Sequence, residues 1–323
     1  MKLLRRQILR LVAGAAAVPG ISRIAGAQDY PNKPVRLIVG FPAGNAPDII
    51  ARLIGQWLSD QLGQQFIIEN RPGAASNIAT EAAVSAPADG YTLLLIVLTN
   101  VLNQALYSKL KFDFIRDVSP VAIIANAPFV LIVTPSFPAQ TVPELIAHAK
   151  ANPGKINMAS GGNGAATHVI GELFKTMAGV DLVHVPYRSS YMPDLLSGEV
   201  QLVFNPIPQS MEYIRSGRVR ALGVTTARRL EALPGVPALG EFVPGYEAIG
   251  WFGVGAPGKT PANIVNKLNA ATSAAVADPK LNARLVGLGV DPVSMSPAEF
   301  GKFVRVDFEK WARVIKSADI KPE

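Results

Sequence analysis

The chain of 323 residues contains no cysteine, which excludes a disulfide framework, thiol chemistry and thiolate metal sites. Histidine is scarce too: there are three, His148, His168 and His184, and none sits in a HExxH or other metal-ligand spacing. No P-loop lysine is present, and no G-x-S-x-G elbow marks a hydrolytic nucleophile. Beyond the N-terminus no apolar run is long enough to span a bilayer, so the mature chain is expected not to be membrane-embedded. A hydrophobic content of 49% is ample for a packed core.

What is there begins with a targeting segment. Lys2, Arg5, Arg6 and Arg10 form a basic region, Leu9 to Val18 is mostly apolar and small, and Ala25-Gly26-Ala27 offers small residues for cleavage after Ala27. The pair Arg5-Arg6 also fits a twin-arginine signal, and the general and twin-arginine routes both lead out of the cytoplasm. Residues 1–27 hold five basic residues and no acid. The mature chain therefore carries 26 basic against 24 acidic residues, +2 in place of +7, and the basic pI implies no nucleic-acid partner.

The chain is organised around Tyr30 to Arg71, which reads as strand, tight loop, helix, strand. Val35 to Val39 runs into Phe41-Pro42-Ala43-Gly44-Asn45-Ala46-Pro47-Asp48, a helical pattern continues to Leu62, and Phe66 to Glu69 is the next strand. Ile49, Ile50, Leu53, Ile54, Trp57, Leu58 and Leu62 share one helix face, which predicts packing on a sheet. Asp48 is placed to accept a backbone N–H at the helix start. The free first-turn amides and the positive end of the helix dipole make an anion site at the strand's C-terminal end.

Further on, Pro72 to Asn77 is a small-residue loop leading into an alanine-rich helix. Tyr91 to Val97 is a continuously apolar strand ending at Thr99-Asn100, with Asn103 just beyond. Val121 to Thr134, interrupted by Asn126, Ala127 and Pro128, reads as a first crossing between domains, and Ala248 to Gly255 as the return. Between them the second half repeats the device of the first. Lys155 to Ala159 delivers the chain to Ser160-Gly161-Gly162-Asn163-Gly164-Ala165-Ala166-Thr167-His168, and a helix to Ala178 carries Val169, Ile170, Leu173, Phe174 and Met177 on its apolar face. Gly162-Asn163-Gly164 starts like a dinucleotide fingerprint, but Thr167 stands where the third glycine or alanine belongs. His148 is expected on a helix surface. A last helix opens with the capping box Ser296-Pro297-Ala298-Glu299; its stripe from Phe300 to Ile315 predicts core, and the C-terminal portion is expected to pack on the first domain. Strands alternating with helices argue for an α/β fold.

Val39-Gly40-Phe41-Pro42-Ala43-Gly44, Asp48, Ala51-Arg52, Leu62-Gly63-Gln64, Glu69-Asn70-Arg71-Pro72-Gly73 and Asp89-Gly90-Tyr91-Thr92 resemble the Bug-type extracytoplasmic solute receptors, the binding proteins of tripartite tricarboxylate transporters. The similarity continues through Ala159-Ser160 to His168, His184-Val185-Pro186-Tyr187, Leu233-Pro234 and Pro244-Gly245-Tyr246-Glu247, to the C-terminus. It implies a two-lobed type II periplasmic binding protein fold with a ligand cleft between lobes, residues 28–127 plus 250–323 forming one lobe and 128–249 the other. It also implies a periplasmic receptor for a small carboxylate, working with the large and small transmembrane components of the transporter, without cofactor, metal or catalysis.

One carboxylate would sit against Phe41, Pro42, Ala43, Gly44, Asn45 and Asp48, and the other against Ser160, Gly162, Asn163, Gly164, Ala165, Thr167 and His168. Asn77, Thr99, Tyr187 and Asn205 are further ligand-binding candidates. The chain departs from the family at Asn45, where a second glycine is usual; at Ala75-Ser76, which replaces a glycine pair; at Tyr187 to Asp194, which is short; and at Asn205-Pro206-Ile207-Pro208, which usually begins with an acid. Two other readings remain: a sensor presenting its ligand to a membrane histidine kinase, and a secreted hydrolase using Ser160 and His168.

Overall fold

The computed structural model describes residues 30–187 and 189–322. The leader expected over residues 1–27 lies outside the described residues, and residues 31–323 form one unit.

Strand β1 (Val35–Val39) leads through a short loop into α1 (Ala46–Leu62) and β2 (Phe66–Asn70). A 3-10 turn (Ala74–Ser76), α2 (Asn77–Val84), β3 (Thr92–Val97), α3 (Leu98–Leu106) and the single turn α4 (Phe114–Asp117) follow. The 16-residue β4 (Val118–Val133) then carries the chain onward. The second half comprises α5 (Val142–Ala151), β5 (Asn157–Ser160), α6 (Ala166–Ala178), β6 (Val183–Pro186), α7 (Met192–Ser197), β7 (Leu202–Pro206), α8 (Ile207–Arg215) and β8 (Arg220–Val224). The chain returns through β9 (Ile249–Pro257) and closes with α9 (Ala262–Ala277), α10 (Pro279–Gly287), β10 (Asp291–Pro292) and α11 (Pro297–Ser317).

The strands join in the order β2-β1-β3-β9-β4-β7-β5-β6, with β8 and β10 also pairing β4. At one end β2, β1 and β3 are parallel, and at the other β6, β5 and β7 are parallel. In each triplet the first strand in sequence lies in the middle, so the strand order reverses beside it. Such switch points open a crevice at the C-terminal ends of the strands. The antiparallel pair β4 and β9 joins the two triplets, with Ala127 opposite Gly250 and Pro128 opposite Ile249. After Pro128, β4 leaves β9 and pairs instead with β7 and β8. Every residue of β3 is buried, as expected for a strand covered on both faces.

Four expectations need correcting. Ile49 is 37% exposed; the face of α1 that packs carries Ile50, Ala51, Ile54 and Leu58. The small residues set that rotation, because Ile68 of β2 approaches so closely that a Cβ on Gly55 would stand 2.9 Å from its Cδ1. Met177 on α6 is likewise 38% exposed, while the polar Thr167, His168 and Glu172 are buried. Helix α3 begins immediately after β3, where a strand end was expected, because the Asn100 side chain accepts the Val97 N–H at 2.8 Å and caps the first turn. Finally, α11 serves both halves. Phe300 and Val304 join Ile38, Leu94 and Trp251 in one core, whereas Trp311, Val314 and Ile315 join Val169, Ile170, Phe174 and Tyr246 in another. At 21 residues the helix is about 30 Å long, enough to reach across both.

Candidate functional site

Both switch points open on one cavity of about 180 Å³. Phe41, Ala46 and Pro47 reach it from the β1–α1 junction, and Val97, Leu98 and Thr99 from the β3–α3 junction. Ala166 comes from the start of α6, and Pro206, Pro208 and Gln209 from the β7–α8 junction. Ala127 and Phe129 of β4, Gly250, Trp251 and Phe252 of β9, and Val290 complete the lining. The N-termini of α1, α3, α6 and α8 therefore converge on the same space. Each leaves first-turn amides without an intrahelical partner and carries the positive end of a helix dipole. Among the described residues lining the cavity, no side chain is charged.

Of the ligand-binding candidates, Phe41 and Thr99 line this cavity. Pro42, Ala43, Gly44 and Asn45 are exposed between the lining residues Phe41 and Ala46. Asn45 lies at φ −77° as the residue before the helix, and the left-handed position falls on Gly44 at +86°. Asp48 lies within the first turn and is 2% exposed. Its oxygens accept from the Gly44 amide at 2.9 Å, from Arg52 at 3.0 and 2.9 Å, and from Asn70 at 2.9 Å. Burial pushes its pKa up, but the bonds from Arg52, Gly44 and Asn70 outweigh this and hold it below the usual carboxylate range. The Asp48 side chain thus holds the loop shape.

The neighbouring loop is held in the same way. Ala74, Ala75 and Ser76 all have positive φ, at 45°, 49° and 74°, a strained run for residues with a Cβ. Asn103 donates to the Ala75 carbonyl at 2.6 Å and to the Asn77 side chain at 3.0 Å. Asn100 donates to Ser76 Oγ and Thr80 Oγ1, at 3.2 and 3.0 Å. Asn77 is therefore engaged with α3.

In the second half, Thr167 Oγ1 accepts the Gly161 amide at 2.9 Å, and His168 Nδ1 accepts the Gly164 amide at 3.1 Å. Gly162 N–H donates to Ser160 Oγ at 3.2 Å, and the Ala165 amide to the Gly162 carbonyl at 3.2 Å. Asn163 is exposed. Gly164 is buried at φ +74°, and a Cβ there would lie 2.4 Å from Leu106 Cδ1 of α3. Tyr187 donates to Asp194 at 2.6 Å, and Asn205 is held between the Tyr191 hydroxyl and Ser210. These polar side chains shape the loops.

The histidines form an unexpected group. His168 and His184 stack with ring centroids 3.5 Å apart and 5° between planes. His184 Nε2 lies 2.6 Å from Ser160 Oγ, so the imidazole beside Ser160 is that of His184 and not of His168. Ser160 is fully buried. Burial, and then the neighbouring His168, pull the His184 pKa down to about 4, leaving the ring neutral at physiological pH. His148 is half-buried and meets Phe137 edge-on at 5.4 Å.

Sequence reasoning missed most of the cavity wall, notably Leu98, Phe129, Pro206, Pro208, Trp251, Phe252 and Val290. One signal was available: Pro206 and Pro208 stand at a strand end and helix start equivalent to Pro42 and Pro47 in the first half.

A mixed α/β sheet with two parallel ends, crossed by two antiparallel connections and carrying one cleft fed by helix N-termini, defines a two-lobed type II periplasmic binding protein. Within that class the chain belongs to the tripartite tricarboxylate transporter receptor family, whose profile matches residues 50–320. It is 32% identical to protein BugT of Bordetella pertussis over 320 residues, covering 98% of each chain. Among solved structures it is similar to R. palustris Rpa4515 with adipate, at 37% identity and a TM-score of 0.81, covering 91% of this chain and 100% of that one. It is also similar to MatC of Rhodopseudomonas palustris with bound malate, at 29% identity and a TM-score of 0.76, covering 88% and 100%.

Proposed function

We propose that the protein is exported by a leader cleaved after Ala27, captures a small carboxylate in this cavity and presents it to the large and small transmembrane components of a tripartite tricarboxylate transporter. The observation that carries the reading is the convergence of four helix N-termini on an uncharged cavity. Backbone amides and helix dipoles then replace the hydration that a carboxylate loses on entry. Adipate and malate, the ligands of the two relatives, share two carboxylates on a short carbon body.

In this proposal one carboxylate rests on the Phe41–Asp48 loop and Thr99, and the other on the loop from Ser160 to His168. The lobes are residues 28–127 plus 250–323 and 128–249, hinged where Ala127 faces Gly250 and Pro128 faces Ile249. The receptor makes and breaks no covalent bond, a reading supported by the full burial of Ser160.

The test is a melting curve of the mature, refolded protein with small acids and their amides. A bound acid at about 100 times its Kd adds roughly 2.7 kcal/mol, enough to raise Tm by several degrees. The amide of the same acid is expected to leave Tm unchanged; equal shifts from both would remove the carboxylate from recognition.

A further inference from the structure

The cavity that reads as a carboxylate site is notable for what its walls offer the rest of the ligand. Among the described lining residues only Thr99, Gln209 and Trp251 carry polar side-chain atoms. Trp251 has a single polar atom, and that Nε1–H already donates to Asp307 at 2.9 Å on the core side. The indole therefore meets the cavity as hydrocarbon. Phe129, Phe252, Leu98 and Val290 are all less than a tenth exposed. A hydroxyl on the ligand body would exchange water for such walls and leave its hydrogen bonds unmade.

We infer that this receptor selects small acids whose body is unsubstituted hydrocarbon or an aromatic ring, and discriminates against hydroxy acids of the same length. The inference rests on the carboxylate-receptor reading and adds to it the class of ligand body. Helix N-termini hold the acid end without choosing among acids, so the choice falls to the apolar wall. An apolar pocket rejects an added hydroxyl by about 100-fold at most, so the expected preference is about 10- to 100-fold.

The experiment is calorimetric titration of the mature, refolded protein with matched pairs that differ by one hydroxyl: succinate against malate, adipate against 2-hydroxyadipate, and benzoate against 4-hydroxybenzoate. In each pair that binds, the unsubstituted acid is expected to bind more tightly by that factor. A hydroxylated member binding as tightly as its partner overturns the inference and leaves the carboxylate reading standing. Failure of all six acids to bind overturns the carboxylate reading and the inference with it.

Two near-isosteric variants tie the preference to the wall. Val290→Thr and Ala127→Ser each place a hydroxyl in the lining, and each is expected to shrink the ratio several-fold, with folding checked by Tm. An unchanged ratio in both would overturn the assignment of selectivity to this cavity.

Discussion

At the scale of single residues, polar side chains around the cleft are spent largely on holding loops, and backbone is left to meet the ligand. Asp48 is the clearest case, with Gly44, Arg52 and Asn70 all gathered on one buried carboxylate. Asp48→Ala is expected to cost about 2 kcal/mol, because it removes the buried charged acceptor that the Gly44 amide, Arg52 and Asn70 share. It should also weaken binding of any acid that shifts the wild-type melting curve, since the Phe41–Asp48 loop loses its clamp. Urea unfolding and calorimetry check the two effects, and unchanged affinity would detach the loop from the site. The residue types were readable in the sequence, as were their positions after strands. Their direction was not: Asn205 and Tyr187 carry the same hydrogen-bonding groups whether they face a ligand or, as here, Tyr191, Ser210 and Asp194.

At the scale of elements, α11 is the joint that local patterning could not assign. Its apolar stripe identified a core helix, but a stripe does not say how many cores it enters. Asp307 fixes its placement by accepting both indole N–H groups, Trp251 of β9 at 2.9 Å and Trp311 at 2.8 Å. Burial raises the Asp307 pKa to about 6, more than the two indoles and Lys310 lower it. For an acid raised in the folded state, the stability contribution is fully present below the unfolded pKa near 4 and is lost as pH rises through about 6. Between pH 4 and pH 6 the wild type should therefore lose about 2 kcal/mol relative to Asp307→Asn, which does not titrate. Urea unfolding of both proteins across that range measures it; a constant difference would mean that the carboxyl titrates as if exposed.

At the scale of the whole molecule, two parallel triplets joined within the sheet through β4 and β9 place the proposed hinge beside the cavity, at Ala127 and Gly250. Small-angle scattering of the refolded protein is expected to show a smaller radius of gyration with a bound acid than without, and equal radii would argue against hinge closure. The alternation of strands and helices and the loop-to-helix junctions are consequences of hydrophobic period and turn chemistry, which are local, and the sequence alone determined them. The tertiary structure alone decided which junctions share a cavity, that the walls between them are apolar, that His184 stacks on His168, and that α11 bridges two cores. Those outcomes depend on pairings between segments far apart in the chain, where register and side-chain direction are set by packing and no longer by the neighbouring sequence.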